Sequence, residues 1–228
     1  MSLAHAISTA RRKPYMGVQM EGPVASWYAR MTRHRRDHRT NAEAVARQLP
    51  AGGAVLEVAP GPGYLAIELA RRYPGLYRIT GLDISRSLVR IARENARAAG
   101  VGIDFHHGDV ANMPFEAESF DVAVCVAAFK NFPDPVAALD EIHRVLRPGG
   151  RASIFDLRKD APPEAIEQEV RDMHVSGPTT WLLRWIFRRL LLRAAYTHAA
   201  LEGVVARSRF GHGEIVQDGI GFELRLTK

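Results

Sequence analysis

Short apolar runs alternate with longer segments of helical periodicity from residue 42 onward. AVLEVAP (54–60) is a continuous apolar run followed by glycines, as expected for a parallel strand buried on both faces of a sheet. Further strands are predicted over residues 78–84, 103–109, 120–126 and 151–157, with helices between them over 64–73, 86–99 and 135–146. This alternation predicts an open parallel sheet with helices on both faces.

Capping and turn residues divide the rest of the chain. Asn41 is expected to cap the helix that follows it, and Ser85 to cap a helix that ends at Gly100. After a long helical stretch over residues 164–208, EIVQ and GFELRLT flank Asp218-Gly219 and predict a closing pair of antiparallel strands.

The predicted fold class is therefore α/β. We expect a Rossmann-like, mostly parallel sheet of seven strands, with helices on both faces and an antiparallel final strand. A helical cap over residues 1–40 precedes a single domain over residues 41–228, and residues 160–196 form a helical insertion or lid after strand five.

Composition excludes a membrane-spanning or disulfide-rich class. Apolar residues make up 46% of the chain, and no apolar run approaches the roughly 18 residues that a bilayer requires. The single cysteine, Cys125, and an N-terminus without the apolar segment of a secretory signal lead us to expect a cytoplasmic protein. The net charge of +6 is concentrated in 30–39 and 184–193, which favours a solvated basic surface over nucleic acid or an anionic membrane.

The first chemical motif is Glu57-Val-Ala59-Pro-Gly61-Pro-Gly63, directly after the first strand. Glycines allow a ligand to approach the backbone closely at the carboxyl ends of such strands. The motif also satisfies the dinucleotide pattern G-x-G-x-x-G/A, and a tight turn alone is the structural alternative. Asp83 ends the second strand, where a carboxylate can accept both ribose hydroxyls. Together these features indicate a nucleoside cofactor.

Two further acids distinguish between nucleoside cofactors. Glu57 lies inside the first strand end and Asp109 ends the third strand. Buried acids at these places need a cationic or donor-rich partner. S-adenosylmethionine supplies an ammonium group, a sulfonium and an adenine amine, whereas a dinucleotide would place its pyrophosphate beside Glu57. The alternative for Asp109 is a turn or cap residue.

Five segments in order resemble the motifs of class I S-adenosylmethionine-dependent methyltransferases: VLEVAPGPGYLAIELA, TGLDIS, HGDVANMPF, FDVAVCVAAFKNFPDP and RVLRPGG. The chain is most similar to the UbiE-like (ubiquinone/menaquinone C-methyltransferase) group, which also tolerates alanine at Ala59. An FGLRN-like stretch of that group matches 127–131, with Lys130 in place of arginine. VASWYARM (24–31) resembles its N-terminal element, with Ala29 in place of aspartate.

The resemblance implies S-adenosyl-L-methionine as cofactor and assigns its contacts. The implied residues are Glu57, Ala59, Gly61 and Gly63 for the methionine end, Asp83 for the ribose, Ile84, Asp109 and Val110 for the adenine, and Val126 and Ala127 beside the sulfonium. Tyr28 would close over the donor, and an aromatic ring near a sulfonium contributes about 0.5–2 kcal/mol. Ordinary packing is the alternative for Tyr28.

Methyl transfer needs few catalytic groups because the donor carbon is already activated. The candidate catalytic residues are Tyr28, Lys130 and Asn131, the last two positioning an oxygen or enolate of the acceptor, or forming a polar helix entry. Candidate acceptor contacts, some of them also candidate bases, are Trp27, His34, His174, Trp181 and Trp185. No metal site is expected.

The helix expected over residues 181–196 carries a second apolar face, formed by Trp181, Trp185, Leu192 and Tyr196. That face suits a substrate pocket or lid, a homodimer contact or, less well, a membrane. The leading hypothesis is methyl transfer to a partly apolar small molecule. The alternatives are a lipid methyltransferase at a membrane surface, a nucleic-acid methyltransferase and a nicotinamide oxidoreductase. The (N/D)PP(Y/F) motif of amino-methylating nucleic-acid enzymes is replaced by CVAA after strand four, so no nucleic-acid partner is expected.

Overall fold

A computed structural model describes residues 20–33, 37–47, 52–172, 192 and 194–228. Its centre is a seven-stranded sheet in the order β3-β2-β1-β4-β5-β7-β6. The strands are β1 (Gly53–Val58), β2 (Tyr77–Asp83), β3 (Asp104–His107), β4 (Phe120–Val126), β5 (Leu146–Leu157), β6 (Glu214–Asp218) and β7 (Gly221–Thr227). The pairs among β1 to β5 are parallel, whereas β7 is antiparallel to both β5 and β6. The α/β prediction is confirmed, including the antiparallel final strand.

Seven α-helices are described, and they pack on both faces of this sheet. They are α1 (Gly22–Thr32), α2 (Asp37–Ala46), α3 (Tyr64–Arg72), α4 (Arg86–Ala99), α5 (Pro135–Val145), α6 (Pro163–Asp172) and α7 (His198–Arg207), with a short 3₁₀ helix at Phe129–Asn131. Alternation along β1 separates two cores. Leu56 and Val58 pack in the core that α5 and α7 share, whereas Val55 packs with α2, α3 and α4.

The predicted boundaries hold where a specific cap sets them. Ser85 accepts a hydrogen bond from Leu88 N at 3.0 Å, and Gly100 ends α4 in the left-handed region at φ +69°. The Asn41 cap is wrong, because α2 begins at Asp37 and residue 41 lies inside it. Aspartate favours a helix N-terminus as well as asparagine does, so the polar segment before residue 41 extends the helix. The domain boundary expected at 40/41 therefore falls within a helix.

Two strands differ in length from the prediction. β3 has four residues, Asp104–His107, instead of the seven expected over 103–109. The chain leaves the ladder where Gly108 N donates to Asp83 O at 3.0 Å. β5 begins at Leu146 instead of residue 151, because Leu146 pairs with Phe120 before a register shift.

The insertion after β5 is described only in part. Trp181 and Trp185, the tryptophans of the second apolar face, lie outside the described residues. Leu192 and Tyr196, assigned to a spare apolar face, are instead buried, each 6% exposed. Leu192 packs with Ile166 and Val170 of α6, and the Tyr196 ring lies 5.7 Å from that of Phe129. Across the described ranges, no helix is long and apolar enough to span a membrane.

Candidate functional site

The candidate site lies at the carboxyl ends of β1, β2 and β4. Glu57 is level with Gly81 on one neighbouring strand and with Val124 on the other. The strand order reverses direction at the β1–β4 pair, and open α/β sheets bind ligands in the crevice at such a reversal. The topology thus brings the motif after β1, the acid that ends β2 and the turn after β4 to one edge.

The loop after β1 has the backbone shape of a ligand cradle. Ala59, Gly61 and Gly63 have positive φ angles of +56°, +56° and +78°. Ala59 N donates to Leu82 O at 2.8 Å and Gly63 N to Pro60 O at 3.0 Å, so the turn is fixed to β2 and to itself. A left-handed φ at a non-glycine residue costs energy, and Ala59 therefore marks a constrained position.

The two glycines of the loop have different surroundings. A Cβ at Gly63 would lie 2.7 Å from the Phe105 ring of β3, so this glycine is required by packing below the loop. A Cβ at Gly61 would point toward Tyr28 of α1, whose Cε1 lies 3.7 Å from that position. Gly61 therefore faces Tyr28 of α1, whereas Gly63 faces the ring of Phe105 beneath the loop.

Asp83 is fixed by backbone donors from both sides of the site. Its Oδ2 accepts from Gly61 N at 3.0 Å and its Oδ1 from Ser85 N at 2.8 Å. The residue is 5% exposed, and burial raises the pKa of its carboxyl group against the opposing effect of the two N–H donors. The carboxylate thereby ties the glycine loop to the start of α4.

Glu57 is the most perturbed acid of the site. It is 4% exposed, and its Oε2 accepts a hydrogen bond from Ala66 N in α3 at 3.0 Å. Burial, with a smaller contribution from the negative charge of Asp83, raises the pKa of Glu57 to about 8. The ion pairs formed within the described ranges do not include Glu57.

The two buried carboxylates of the site suit a nucleoside ligand that carries a positive charge. A buried acid with one backbone donor gains most from a cation that enters beside it. Glu57 meets that requirement, and the equally buried Asp83, which has two backbone donors, stands beside the same loop. S-adenosylmethionine carries an ammonium group, a sulfonium and a ribose diol, and the residues present fit it.

The residues expected at the adenine differ in their surroundings. Ile84 follows β2 and is 60% exposed, an uncommon environment for an isoleucine, whereas Val110 is half-buried. Asp109 was expected to be a buried acid and is exposed. Its Oδ1 accepts from Ala111 N at 2.9 Å, the hydrogen bond of an Asx turn, because the chain leaves β3 before reaching it. The burial argument for Asp109 is therefore wrong, and its contact with an adenine amine stays a prediction.

The turn after β4 borders the site on its other side. Val126 is half-buried and Ala127 is exposed, with a left-handed φ of +58°. Ala127 N donates to Phe155 O of β5 at 2.7 Å, and Asn131 N donates to Ala128 O at 2.9 Å. The half-buried Asn131 stays a candidate acceptor contact.

The side chain of Lys130 is buried in a pair with Asp156 of β5. Its Nζ lies 2.7 Å from Asp156 Oδ1 and 2.9 Å from Ala127 O, and its side chain is 10% exposed. Asp156 Oδ2 also accepts from Lys130 N at 2.8 Å. The buried carboxylate at the end of β5 binds this amino group, and the role of Lys130 in positioning the acceptor stays a prediction. The sequence analysis did not identify Asp156. Its position near the end of the predicted fifth strand, at the same sheet edge as Lys130, was the signal that could have indicated a pair.

Helix α1 lies beside the glycine loop and the start of α4. Tyr28 faces Gly61, and Tyr64 Oη of α3 donates to Ala29 O at 2.8 Å. Trp27, a predicted acceptor contact, is 56% exposed. Glu21 accepts from Arg86 N and Ser87 N, a link that sequence reasoning missed. The other predicted acceptor contacts, His34, His174, Trp181 and Trp185, lie outside the described residues.

Comparison with known proteins places this geometry in context. Residues 55–150 match a family described as a methyltransferase domain. The chain is 40% identical over 111 residues to the demethylmenaquinone methyltransferase of Deinococcus radiodurans. The aligned region covers 49% of this chain and 44% of that protein. It is 35% identical over 114 residues to the 2-phytyl-1,4-naphtoquinone methyltransferase of Synechococcus elongatus, covering 49% of each. The chain thus spans about half the length of the curated relatives it matches.

A solved structure extends the likeness to the whole fold. The SAM-dependent methyltransferase of Aquifex aeolicus superposes with a TM-score of 0.68, over 89% of this chain and 97% of that one. The two sequences are 16% identical, so this likeness concerns the fold. It includes regions outside residues 55–150, which the family match does not cover.

Proposed function

We propose that the protein transfers the methyl group of S-adenosylmethionine to a partly apolar small molecule. The proposal is supported by the match of residues 55–150 to a methyltransferase domain and by the similarity of the chain to two quinone methyltransferases. The observation that carries the proposal is Glu57, a buried acid beside the glycine loop that forms no ion pair within the described ranges. A donor with an ammonium group satisfies that acid. A dinucleotide would instead bring a pyrophosphate toward it.

The residues at the sheet edge supply binding and orientation. Glu57 receives the ammonium group, and the backbone of Ala59 and Gly61 lines the methionine end. Asp83 receives the ribose hydroxyls, for which its oxygens exchange part of their present backbone hydrogen bonding. Ile84, Val110 and Asp109 border the adenine. Gly63 is left out of this set, because its surroundings assign it to packing.

The acceptor that we propose is the reduced form of a naphthoquinone-type ring. The support is the names of the two relatives, which specify demethylmenaquinone and 2-phytyl-1,4-naphtoquinone. A ring carbon of the hydroquinone attacks the methyl carbon, and the C–C bond forms as the methyl–sulfur bond breaks. The ring proton then leaves to solvent, and S-adenosylhomocysteine departs.

The protein accelerates this step by alignment and by exclusion of water. Val126 and Ala127 border the reacting methyl group, and the contacts of Ala127 with β5 hold that turn in place. Tyr28 covers the donor from α1. Asn131, a polar side chain that follows the turn after β4, contacts an oxygen of the acceptor. The single cysteine lies buried in β4, which supports a reducing, cytoplasmic location.

The test is incubation of the protein with methyl-¹³C S-adenosylmethionine and chemically reduced 1,4-naphthoquinone. We expect S-adenosylhomocysteine and a product heavier by one labelled methyl group, with the ¹³C shift of a carbon-bound methyl. If the labelled methyl group is instead bound to oxygen, the acceptor atom is a hydroxyl oxygen of the hydroquinone and not a ring carbon. Donor binding without transfer to this ring would contradict the proposed acceptor class, and no donor binding would contradict the proposed function itself.

A further inference from the structure

The two acids assigned to the cofactor are covered in this conformation. Glu57 is 4% exposed and Asp83 is 5% exposed, so a ligand cannot contact both carboxylates from solvent. Helix α1 and the two residues before it adjoin this part of the molecule: Tyr28 lies beside Gly61 of the glycine loop, and Met20 and Glu21 bond to the start of α4. Cofactor entry requires the residues around the two acids to move, and α1 is one of the elements at that edge.

The attachment of α1 to its surroundings is mainly polar. The side chains that α1 buries are small, namely Ala25, Ala29 and Thr32, whereas Trp27 and Met31 are each 56% exposed. Small side chains remove little apolar surface from water, so their packing stabilises the closed position weakly. Segments with few buried apolar contacts open at low free-energy cost.

A charged attachment of this segment is made by Glu21, the residue before α1. Its Oε1 accepts from Arg86 N at 2.9 Å and its Oε2 from Ser87 N at 3.1 Å. These are first-turn N–H groups of α4, which have no partner within the helix, and the positive end of the helix dipole favours a carboxylate there. Two neighbouring bonds complete the link: Gly22 N donates to Ser87 Oγ at 3.0 Å, and Ser85 Oγ donates to Met20 O.

This link stands directly beside the cofactor acids. Ser85, whose hydroxyl binds Met20 O, donates its own N–H to Asp83 Oδ1 at 2.8 Å. At the far end of α1, Tyr64 Oη donates to Ala29 O at 2.8 Å, three residues before the end of the helix. The helix is thus held near both of its ends, at the start of α4 through Glu21 and at the start of α3 through Tyr64, and Glu21 supplies the charged attachment.

We propose that Glu21 is a latch that holds α1 over the S-adenosyl site and thereby sets how fast the cofactor enters and leaves. The inference rests on the proposed function, because it assigns that ligand to the site. Glu21 is a positioning residue: it holds α1 and does not itself contact the cofactor. Two charge-assisted hydrogen bonds on an exposed carboxylate correspond to roughly a 5- to 30-fold shift in the opening equilibrium.

The test measures S-adenosylhomocysteine binding to the immobilised protein by surface plasmon resonance. For Glu21→Ala we expect the dissociation rate constant to rise about 5- to 30-fold, with the association rate constant raised as well. Glu21→Gln keeps one acceptor oxygen and loses the charge, so its rate constants should lie between those of Glu21→Ala and the wild type. The control is Glu94→Gln, which removes an exposed ion pair with Arg90 on the same helix α4 and should change neither rate constant.

Hydrogen exchange of the α1 backbone amides gives a second readout that needs no ligand. In Glu21→Ala these amides should exchange faster, while amides of β1 and β4 keep their wild-type rates. A dissociation rate constant within twofold of wild type, or unchanged exchange in α1, would overturn the latch. Wild-type protein that binds no S-adenosylhomocysteine would instead contradict the proposed function, so the two failures are distinguishable.

Discussion

Glu57 combines a buried position with a single backbone donor, and its protonation therefore links ligand binding to pH. With a pKa raised to about 8 by burial, the carboxyl group is protonated at pH 7 in the ligand-free protein. Its folded-state pKa lies above the ordinary 4.5, so this group destabilises the ligand-free fold progressively as pH rises from 4.5 through 8. A bound ammonium group reverses the preference and stabilises the carboxylate.

Cofactor binding should consequently release a proton from Glu57. S-adenosylhomocysteine affinity should rise by up to about tenfold per pH unit from pH 6 and level off near pH 8, where the ligand's own α-amino group begins to lose its proton. Calorimetry at pH 7 in phosphate and in Tris measures the release as a buffer-dependent enthalpy. The Glu57→Gln variant should lose this dependence, and equal enthalpies for the wild type would refute the assignment.

The Lys130–Asp156 pair should matter to stability more than any exposed pair. Asp156→Asn leaves a buried ammonium group without its counter-charge, and we expect a loss of about 3–5 kcal/mol in unfolding free energy by urea titration. Lys130→Met combined with Asp156→Asn should recover part of that loss, because no buried charge is left unpaired. The matched exposed pair, disrupted in Glu94→Gln, should cost under about 1 kcal/mol. Equal costs for the two single variants would contradict the buried role.

At this scale the sequence predicted acids better than their partners. The burial of Glu57 and Asp83 could be predicted because both acids stand at strand ends beside a glycine motif. Their contacts with a cofactor follow from the same position and stay predictions. Lys130 could not, because its partner Asp156 lies 26 residues away on β5 and meets it only through the β4–β5 pairing. The burial expected for Asp109 failed because β3 ends before that residue is reached.

Among the elements, the turn between β1 and α3 shows how one motif serves two purposes. Gly61 faces Tyr28 of α1 and stays a predicted cofactor contact, while Gly63 packs against the Phe105 ring. The sequence pattern could not separate these purposes, since both glycines stand in the same loop and both adopt positive φ. The partner of Gly63 comes from β3, a strand distant in sequence.

The packing role of Gly63 can be isolated with a matched glycine. Gly63→Ala combines a left-handed φ with a Cβ 2.7 Å from Phe105, whereas Gly75→Ala has a similar φ of +74° and open space around it. We expect Gly63→Ala to destabilise the protein by about 1–3 kcal/mol more than Gly75→Ala in urea unfolding, the scale of overpacking. Phe105→Leu should recover part of the difference. Equal costs for the two alanines would show that no clash exists.

Regular elements were predicted well where hydrophobic runs and caps agreed. The bounds 120–126 for β4 are those of the structure, and Ser85 and Gly100 bracket α4 as expected. The ends of β3, β5 and α2 differed because tertiary pairing sets them: a neighbouring strand extends β5, and a departing chain shortens β3. Local propensity carries no information on either event.

Across the whole molecule, the strand order makes the site. It brings the ends of β1, β2 and β4 to one edge, where residues from three separate segments meet. Strand–helix alternation predicted that edge from sequence. The position of α1 could not be predicted, because its attachment through Glu21 and Tyr64 depends on backbone groups that carry no sequence signature.

The identity of the cofactor is tested most directly by calorimetric titration with S-adenosylhomocysteine of the wild type and of the Asp83→Ala variant. The control is Asp104→Asn, which changes an exposed acid on β3. Circular dichroism should first establish that all three are folded. We predict micromolar binding by the wild type and the control, weakened roughly 10- to 150-fold in Asp83→Ala, the scale of lost hydrogen bonds to a charged group. Folded wild-type protein that bound NAD and not S-adenosylhomocysteine would show that S-adenosylmethionine is not the cofactor.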